Sequence, residues 1–295
     1  MRTDDTFYNW FVLNNKLPNP SVIKRLFDMC GSTEEILKKY TDQELQKEYE
    51  YAEEAQQICL ENNITAITIE DPNYPVNLKQ ISDPPTIIYA KGRAPSRNEK
   101  MIAIVGSRKA SMYSRSYAKG IARNIANKGI TVISGMAEGS DMAAHQGALY
   151  TQKRTIAVLG RSLTLKRKRE TTKTKKDQET IDRILENDGC IISEVEPWEN
   201  YDSGKNGARL VKRNRITTAL SSAVIITECD EKSGTMHAVR YAKEQGKPVY
   251  AVPLSWGKSN YYDHMYELEQ RKILKFLDKD IAEQIIFNIN QNSQE

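Results

Sequence analysis

The chain has 295 residues, 39% hydrophobic and 28% charged, with a formal net charge of +4. That length holds one large domain or two modest ones with a sizeable core, and the balance is that of a globular protein that needs no staples. A charge of +4 is too small to mark a nucleic-acid binder, so any electrostatic argument has to be local.

The opening "MRTDDTFYNWFVLNN" carries early acids and a very short apolar run. It fits neither a secretory signal nor a membrane span, so a cytoplasmic protein is expected. Cys30, Cys59, Cys190 and Cys229 are far apart, and the last two fall in predicted strands, which reads as reduced core thiols. His145, His237 and His264 lack zinc-ligand spacing, and neither a metal nor a cofactor is expected.

Residues 8 to about 60 read as helices: "NWFVLN", then "PSVIKRLFDMCG" stopped by Gly31, then "STEEILKKY" with Ser32 and Glu35 in capping-box spacing. A long polar helix follows over 41–62, giving a helical N-terminal domain over 1–62. From 64 to 92, "ITAITI", a Pro-punctuated stretch and "TIIYAKG" predict two strands around a short helix. Beyond that the rhythm is regular. Strands at 101–106, 130–134, 155–159, 190–193, 223–228 and 248–252 alternate with helices near 114–128, 138–150, 177–187, 211–221 and 234–245. Gly129, Gly189 and Gly246 each end a helix before a strand, as left-handed caps do. These βα units predict an α/β fold over 63–285, an extended Rossmann-like, mostly parallel sheet covered on both faces. The basic run "LKRKRETTKTKK", 165–176, reads either as a solvated mobile loop or as a phosphate contact. A disordered tail is expected over 286–295.

In an open parallel sheet, ligands sit beyond the carboxyl ends of the strands. The first core strand leads into Gly106, Ser107, Arg108, Lys109 and Ser111, and the second into Ser134, Gly135, Gly139, Ser140 and Asp141. A later stretch supplies Lys212, Arg213, Asn214 and Arg215, and the strand after it runs into Lys232, Ser233, Gly234 and Thr235. Glycines let backbone N–H groups approach a phosphate, hydroxyls donate to it and Arg grips it in a fork, so these loops predict a composite anion site. Neither a dinucleotide fingerprint nor a P-loop is present.

Cations where a helix is predicted to start, as at 211–215, are mildly unfavourable and call for an anion nearby. That anion is an external phosphate or one of Glu194, Glu228, Asp230 and Glu231. Asp141 and His145, four apart on one helix, read as an acid–base pair or, without a nucleophile, as a turn-stabilising pair. Glu194 and Glu228 stand at strand ends, where they orient the basic groups. Trp198, Tyr201 and Tyr113 fall in loops near the same end, as stacking platforms or packing.

"IAIVGSRKAS", "GITVISGMAEGSDMAAHQGAL", "TIAVLG", "CIISE", "KRNRITTALSSAVIITE" and "KSGTMHAVRYAKEQGKPVYAVP" together resemble the DprA/Smf family of DNA-processing proteins of bacterial transformation. The resemblance covers about 64 to 270. It implies a non-enzymatic protein that binds single-stranded DNA, forms a homodimer and hands the strand to RecA. By resemblance Arg108, Lys212, Arg213 and Arg215 are the strongest candidates for phosphate contacts, with the turns at Ser134–Gly139 and Lys232–Thr235 beside them. The chain departs from the family pattern in several places, among them the segment after "YAVP", which lacks the usual Gly. "GRSLTLKRKRETTKTKK" replaces a Gly-Leu-Asp and Tyr-Pro element, Val211 and Lys212 replace Phe-Pro, and "ELEQRKI" replaces a small pair near the family's dimer region. These departures suggest a divergent member from a mobile element or an anti-phage module. Two rival readings stand beside this one: a nucleotide sensor or phosphoribohydrolase-like enzyme, and an antitoxin-like regulatory subunit.

Overall fold

The computed structural model describes residues 6–17, 19–97, 99–164, 172–197, 206–253, 261–278, 283 and 285–286. Four helices come first: α1 (Thr6–Lys16), α2 (Pro20–Cys30), α3 (Thr33–Leu37) and α4 (Asp42–Glu61). Local chemistry sets their ends. Asn19 caps α2 with Pro20 behind it, and Gly31 closes it at φ +82°. Ser32 accepts from the Glu35 N–H at the start of α3. Thr41 and Glu44 form a reciprocal capping box ahead of α4, a signal the sequence reading passed over. Leu45, Ala52, Ala55 and Cys59 make the buried stripe of α4.

Next come β1 (Ile64–Thr68), α5 (Val76–Lys79), β2 (Ile87–Gly92), β3 (Met101–Val105), α6 (Met112–Asn127), β4 (Thr131–Ser134), α7 (Ser140–Tyr150), β5 (Thr155–Leu159), α8 (Thr172–Glu186) and β6 (Cys190–Ser193). The rest are α9 (Asn206–Lys212), α10 (Asn214–Leu220), β7 (Ala223–Ile226), α11 (Thr235–Glu244), β8 (Val249–Ala251), α12 (Tyr262–Gln270) and β9 (Lys275–Phe276). Among the described residues the strands form one nine-stranded sheet in the order β1-β2-β6-β5-β4-β3-β7-β8-β9. β3 to β9 run parallel; on the β6 edge β2 pairs antiparallel with β6 and β1 antiparallel with β2, so β2 alone among these strands is reversed.

Alternate residues of the central strands feed opposite faces, as a sheet covered on both sides requires. Ile102, Ile104 and Val132 join the core under α6 and α7, while Ala103, Val105 and Ile133 join the core on the other face. That second core is continuous with Trp10, Phe11 and Leu13 of α1. Trp10 also donates from its indole nitrogen to Glu70, 2.7 Å away, just after β1.

Two expectations need correction. The helix read over 211–221 is two helices, α9 and α10, meeting at Arg213, so Lys212 lies at a helix C-terminus, where the dipole favours a cation. Gly129 and Gly246 take left-handed φ values of +76° and +66°, but before β6 that role falls to Asp188 at +58°. Gly189 is needed for closeness instead, because a Cβ there would lie 2.5 Å from the Thr155 carbonyl oxygen. The basic run is split: 165–171 and the tail beyond 286 lie outside the described residues, whereas α8 already begins at Thr172. Among the described residues no helix is long and apolar enough to cross a membrane.

Candidate nucleic-acid interface

From β3 the chain moves outward through β4, β5 and β6, then returns to β7 on the opposite side of β3. The carboxyl ends of β3 and β7 therefore flank a topological switch point, where sheets of this kind open a crevice. Glu228, just past β7, ties that crevice together. Its backbone oxygen accepts from the Ser107 N–H at 2.8 Å, and its carboxylate accepts from the Ser111 N–H and hydroxyl, each at 2.8 Å. A carboxylate at the start of α6 also complements the helix dipole. The Ser111 hydroxyl, which accepts from the Ser114 N–H as well, is fully committed inside the protein.

The glycines bring the turns together. A Cβ on Gly106 would lie 2.5 Å from the Ser140 Oγ, itself hydrogen-bonded to Thr227 Oγ1 at 2.5 Å. Gly139, at φ +88°, lies against the Ser107 carbonyl so closely that no side chain fits. Ser134 is buried, its hydroxyl donating to the Ile104 carbonyl at 2.5 Å. Ser233 Oγ accepts from the Thr235 N–H at 3.2 Å and lies 3.1 Å from the Thr235 hydroxyl, and Asn214 Nδ2 donates to the Gly234 carbonyl at 3.3 Å.

Beneath these turns Asp141 is buried and accepts from the backbone N–H groups of Gly106 and Ala137. Arg213 Nη2 lies 3.6 Å from its Oδ2. Burial pushes the Asp141 carboxyl up and the Arg213 guanidinium down, each opposed by the charge of the other. Arg213 lies flat under Gly135, and its buried Nε and Nη1 have no hydrogen-bond partner among the described residues. His145 Nε2 lies 2.6 Å from the Gly135 carbonyl and Nδ1 lies 2.8 Å from Thr155 Oγ1. Burial pushes His145 down to about 4. The neutral ring donates from Nε2, since a carbonyl can only accept, while the Thr155 hydroxyl beside Nδ1 also lies 2.7 Å from the Val132 carbonyl and has one proton to place between the two.

Arg215 corrects the sequence reading most sharply. It is fully buried, with Nη1 and Nη2 at 2.8 and 2.7 Å from the two carboxylate oxygens of Glu194. Its Nε reaches Asp83 Oδ2 at 2.8 Å, so no donor faces outward to a phosphate. Burial alone would raise the Glu194 carboxyl, but Arg215 and, more weakly, Lys212 and Arg209 hold it below the usual range. Arg213 is corrected in the same sense, its guanidinium lying under the turn and not on its surface. The anion foreseen beside this cluster is thus in large part internal: Glu194, Asp83 and Asp141.

Arg108 and Lys109 after β3, and Lys232 after β7, remain exposed and form no ion pair among the described residues. Lys212 is partly exposed, 3.8 Å from Glu194. Tyr113 is bound through its hydroxyl to the Pro253 carbonyl at 3.1 Å. Trp198 and Tyr201 lie outside the described residues. Asp83, an unmarked loop residue, gave no sequence signal, whereas Asp141 and Glu228 stood beside turns already singled out. Among the described residues no cluster of three or more ligating side chains could hold a metal ion.

A mostly parallel sheet whose switch point carries glycine turns and exposed cations is a Rossmann-like architecture. The chain belongs to the family described as DNA recombination-mediator protein A, whose model matches residues 65–271. Protein Smf of Synechocystis sp. is 32% identical over 211 residues, 70% of this chain and 49% of the relative. The chain spans about half the length of the curated relatives it matches. A structure of DNA processing protein A from Helicobacter pylori, concerned with that protein's single-stranded DNA binding mode, is 26% identical with a TM-score of 0.62. It covers 78% of this chain and 96% of its own. The X-ray structure of DNA processing protein A from Streptococcus pneumoniae, 24% identical with a TM-score of 0.72, shares the fold over 96% of this chain and 97% of its own.

Proposed function

We propose that this protein binds single-stranded DNA without regard to sequence, holding phosphates at the rim formed by the loops after β3 and β7. Arg108, Lys232 and Lys212 are the side chains offered to the strand. Gly106, Ser107, Ser111, Ser134, Gly135, Gly139, Arg213, Asn214, Ser233, Gly234 and Thr235 build and brace the turns that present them. The observation that carries the reading is the exposure of Arg108 and Lys232, without internal acids, at the switch point of a family member's sheet. Phosphate contacts of this kind position a strand and carry no base information.

The role is binding and not catalysis. In support, Asp141 and His145, the acid–base pair nearest the rim, are sealed from solvent and committed to backbone partners. Handover to RecA and a homodimer enter this proposal on the family resemblance alone. So does the division into a helical part over 1–62 and an α/β part over 63–285.

Fluorescence anisotropy across a salt series, with single-stranded, double-stranded and mononucleotide probes, tests the reading. Single-stranded DNA should bind best, with log affinity falling against log salt at a slope of about −0.7 per phosphate neutralised. Absence of single-strand binding, or release of free base from the mononucleotide, would reject it.

A further inference from the structure

Arg115, Lys119 and Arg123 recur every fourth residue on α6, so they project from one side of the helix. All three are exposed, and among the described residues none has an ion-pair partner. Like charges at this spacing repel one another, an arrangement that an anionic guest relieves. The stripe ends on an aromatic ring. Lys119 Nζ and Arg123 Cζ lie 6.0 and 4.8 Å from the centre of the Tyr150 ring, in the last turn of α7. Tyr150 is 63% exposed, so most of its surface is open despite these two contacts.

A groove of about 830 Å³ between α6, α7 and α8 joins the two ends. Arg115 and Gly139 line it where α6 and α7 start, beside the rim described above, and Tyr150 lines its far end. Along α7, Ser140 to Tyr150 spans roughly 15 Å. On the other side of the groove Lys176 and Arg183 of α8 are interspersed with Asp177 and Glu179, with Glu138 nearby, so the cations without acids among them are those of α6.

We propose that a single strand held at the rim continues down this groove, its phosphates along Arg115 and Lys119 and on to Arg123, which stands beside Tyr150 at the far end, with a base on the open part of that ring. Cations in file leading to an exposed ring suit an extended nucleic acid, because every base has a face to stack and every linkage a charge. This second stretch of contact rests on the single-strand reading above.

Two fluorescein-labelled thymidine oligonucleotides, of about 5 and about 20 nucleotides, separate the two sites. Tyr150→Ala should weaken the long oligonucleotide about tenfold and leave the short one unchanged, while Tyr150→Phe binds like the parent. Lys119→Ala with Arg123→Ala should flatten the salt slope for the long oligonucleotide by about 1.4. Unchanged affinity and slope for the long oligonucleotide would overturn the groove and leave the rim reading standing. Equal losses at both lengths would assign these residues to the rim and overturn a separate stretch. A parent protein that binds neither would overturn both readings.

Discussion

Arg215 and Glu194 meet in a two-point fork, 2.8 and 2.7 Å from nitrogen to oxygen, with the guanidinium fully buried and its Nε held by Asp83. The contact joins the start of α10 to the end of β6 and to the segment before β2. It is a fastening between parts of the chain far apart in sequence, built from residues that look like a ligand site.

Removing one partner of that fork leaves a buried charge without compensation. Arg215→Ala and Glu194→Gln should each lose about 3–5 kcal/mol in urea denaturation. Replacing both by Met should lose much less than the sum of the two. Full additivity of the single losses would contradict the pairing.

Acid should weaken the fold through two of its groups. The Glu194 carboxyl is held down in the folded state, so its contribution is present above the unfolded value and lost as pH falls through the folded one. His145 drops from 6.5 to about 4, so the unfolded chain takes up its proton first. Stability should fall from about pH 6.5 to about pH 4, by up to about 3 kcal/mol from this residue. Asp141, raised by burial, works in the opposite direction below its folded value. Comparing the parent with His145→Gln isolates the histidine: the variant's stability should vary less with pH across that window.

Gly139→Ala places a Cβ against the Ser107 carbonyl at a φ of +88°. A cost of about 1–3 kcal/mol in thermal or urea unfolding is expected. Because the Ser107–Arg108 turn must shift, single-strand affinity should fall with it.

Arg108→Ala separates binding from stability. The side chain is exposed and unpaired, so the melting temperature should hold while the salt slope of single-strand binding flattens by about 0.7. Ser134→Ala should do the reverse, since its buried hydroxyl serves the Ile104 carbonyl.

Trp10→Ala tests how far the proposed division at residue 62 is energetic. The indole is fully buried in a core shared with the sheet, and its loss should cost about 3–5 kcal/mol in a single cooperative transition. Two separate transitions would show that the helices fold as an independent unit.

Periodicity made the sheet legible. "MIAIV", "TIAVL" and "CIIS" are apolar runs of strand length, and β3, β5 and β6 occupy them with fully buried side chains. The glycine turns were legible too, because Gly106 and Gly139 stand between strand and helix. What escaped was the fate of the cations. A donor that grips DNA and one that grips a distant carboxylate read alike, and Arg215 meets Glu194 and Asp83 across long loops. Arg108 and Arg215 share a chemistry and differ only in what the fold lays over them. The break at Arg213 was hidden as well, since Lys212 and Asn214 both suit a continuous helix.

Glu228 holds the Ser107 amide and both donors of Ser111, while the Gly106 amide faces Asp141. These four donors of the turn are therefore already occupied, and its long flexible cations, Arg108 and Lys109, are what it extends outward. On the single-strand reading proposed above, a polymer held mainly by such side chains would be gripped by charge more than by shape, and could creep lengthwise one linkage at a time while the scaffold beneath it stays still.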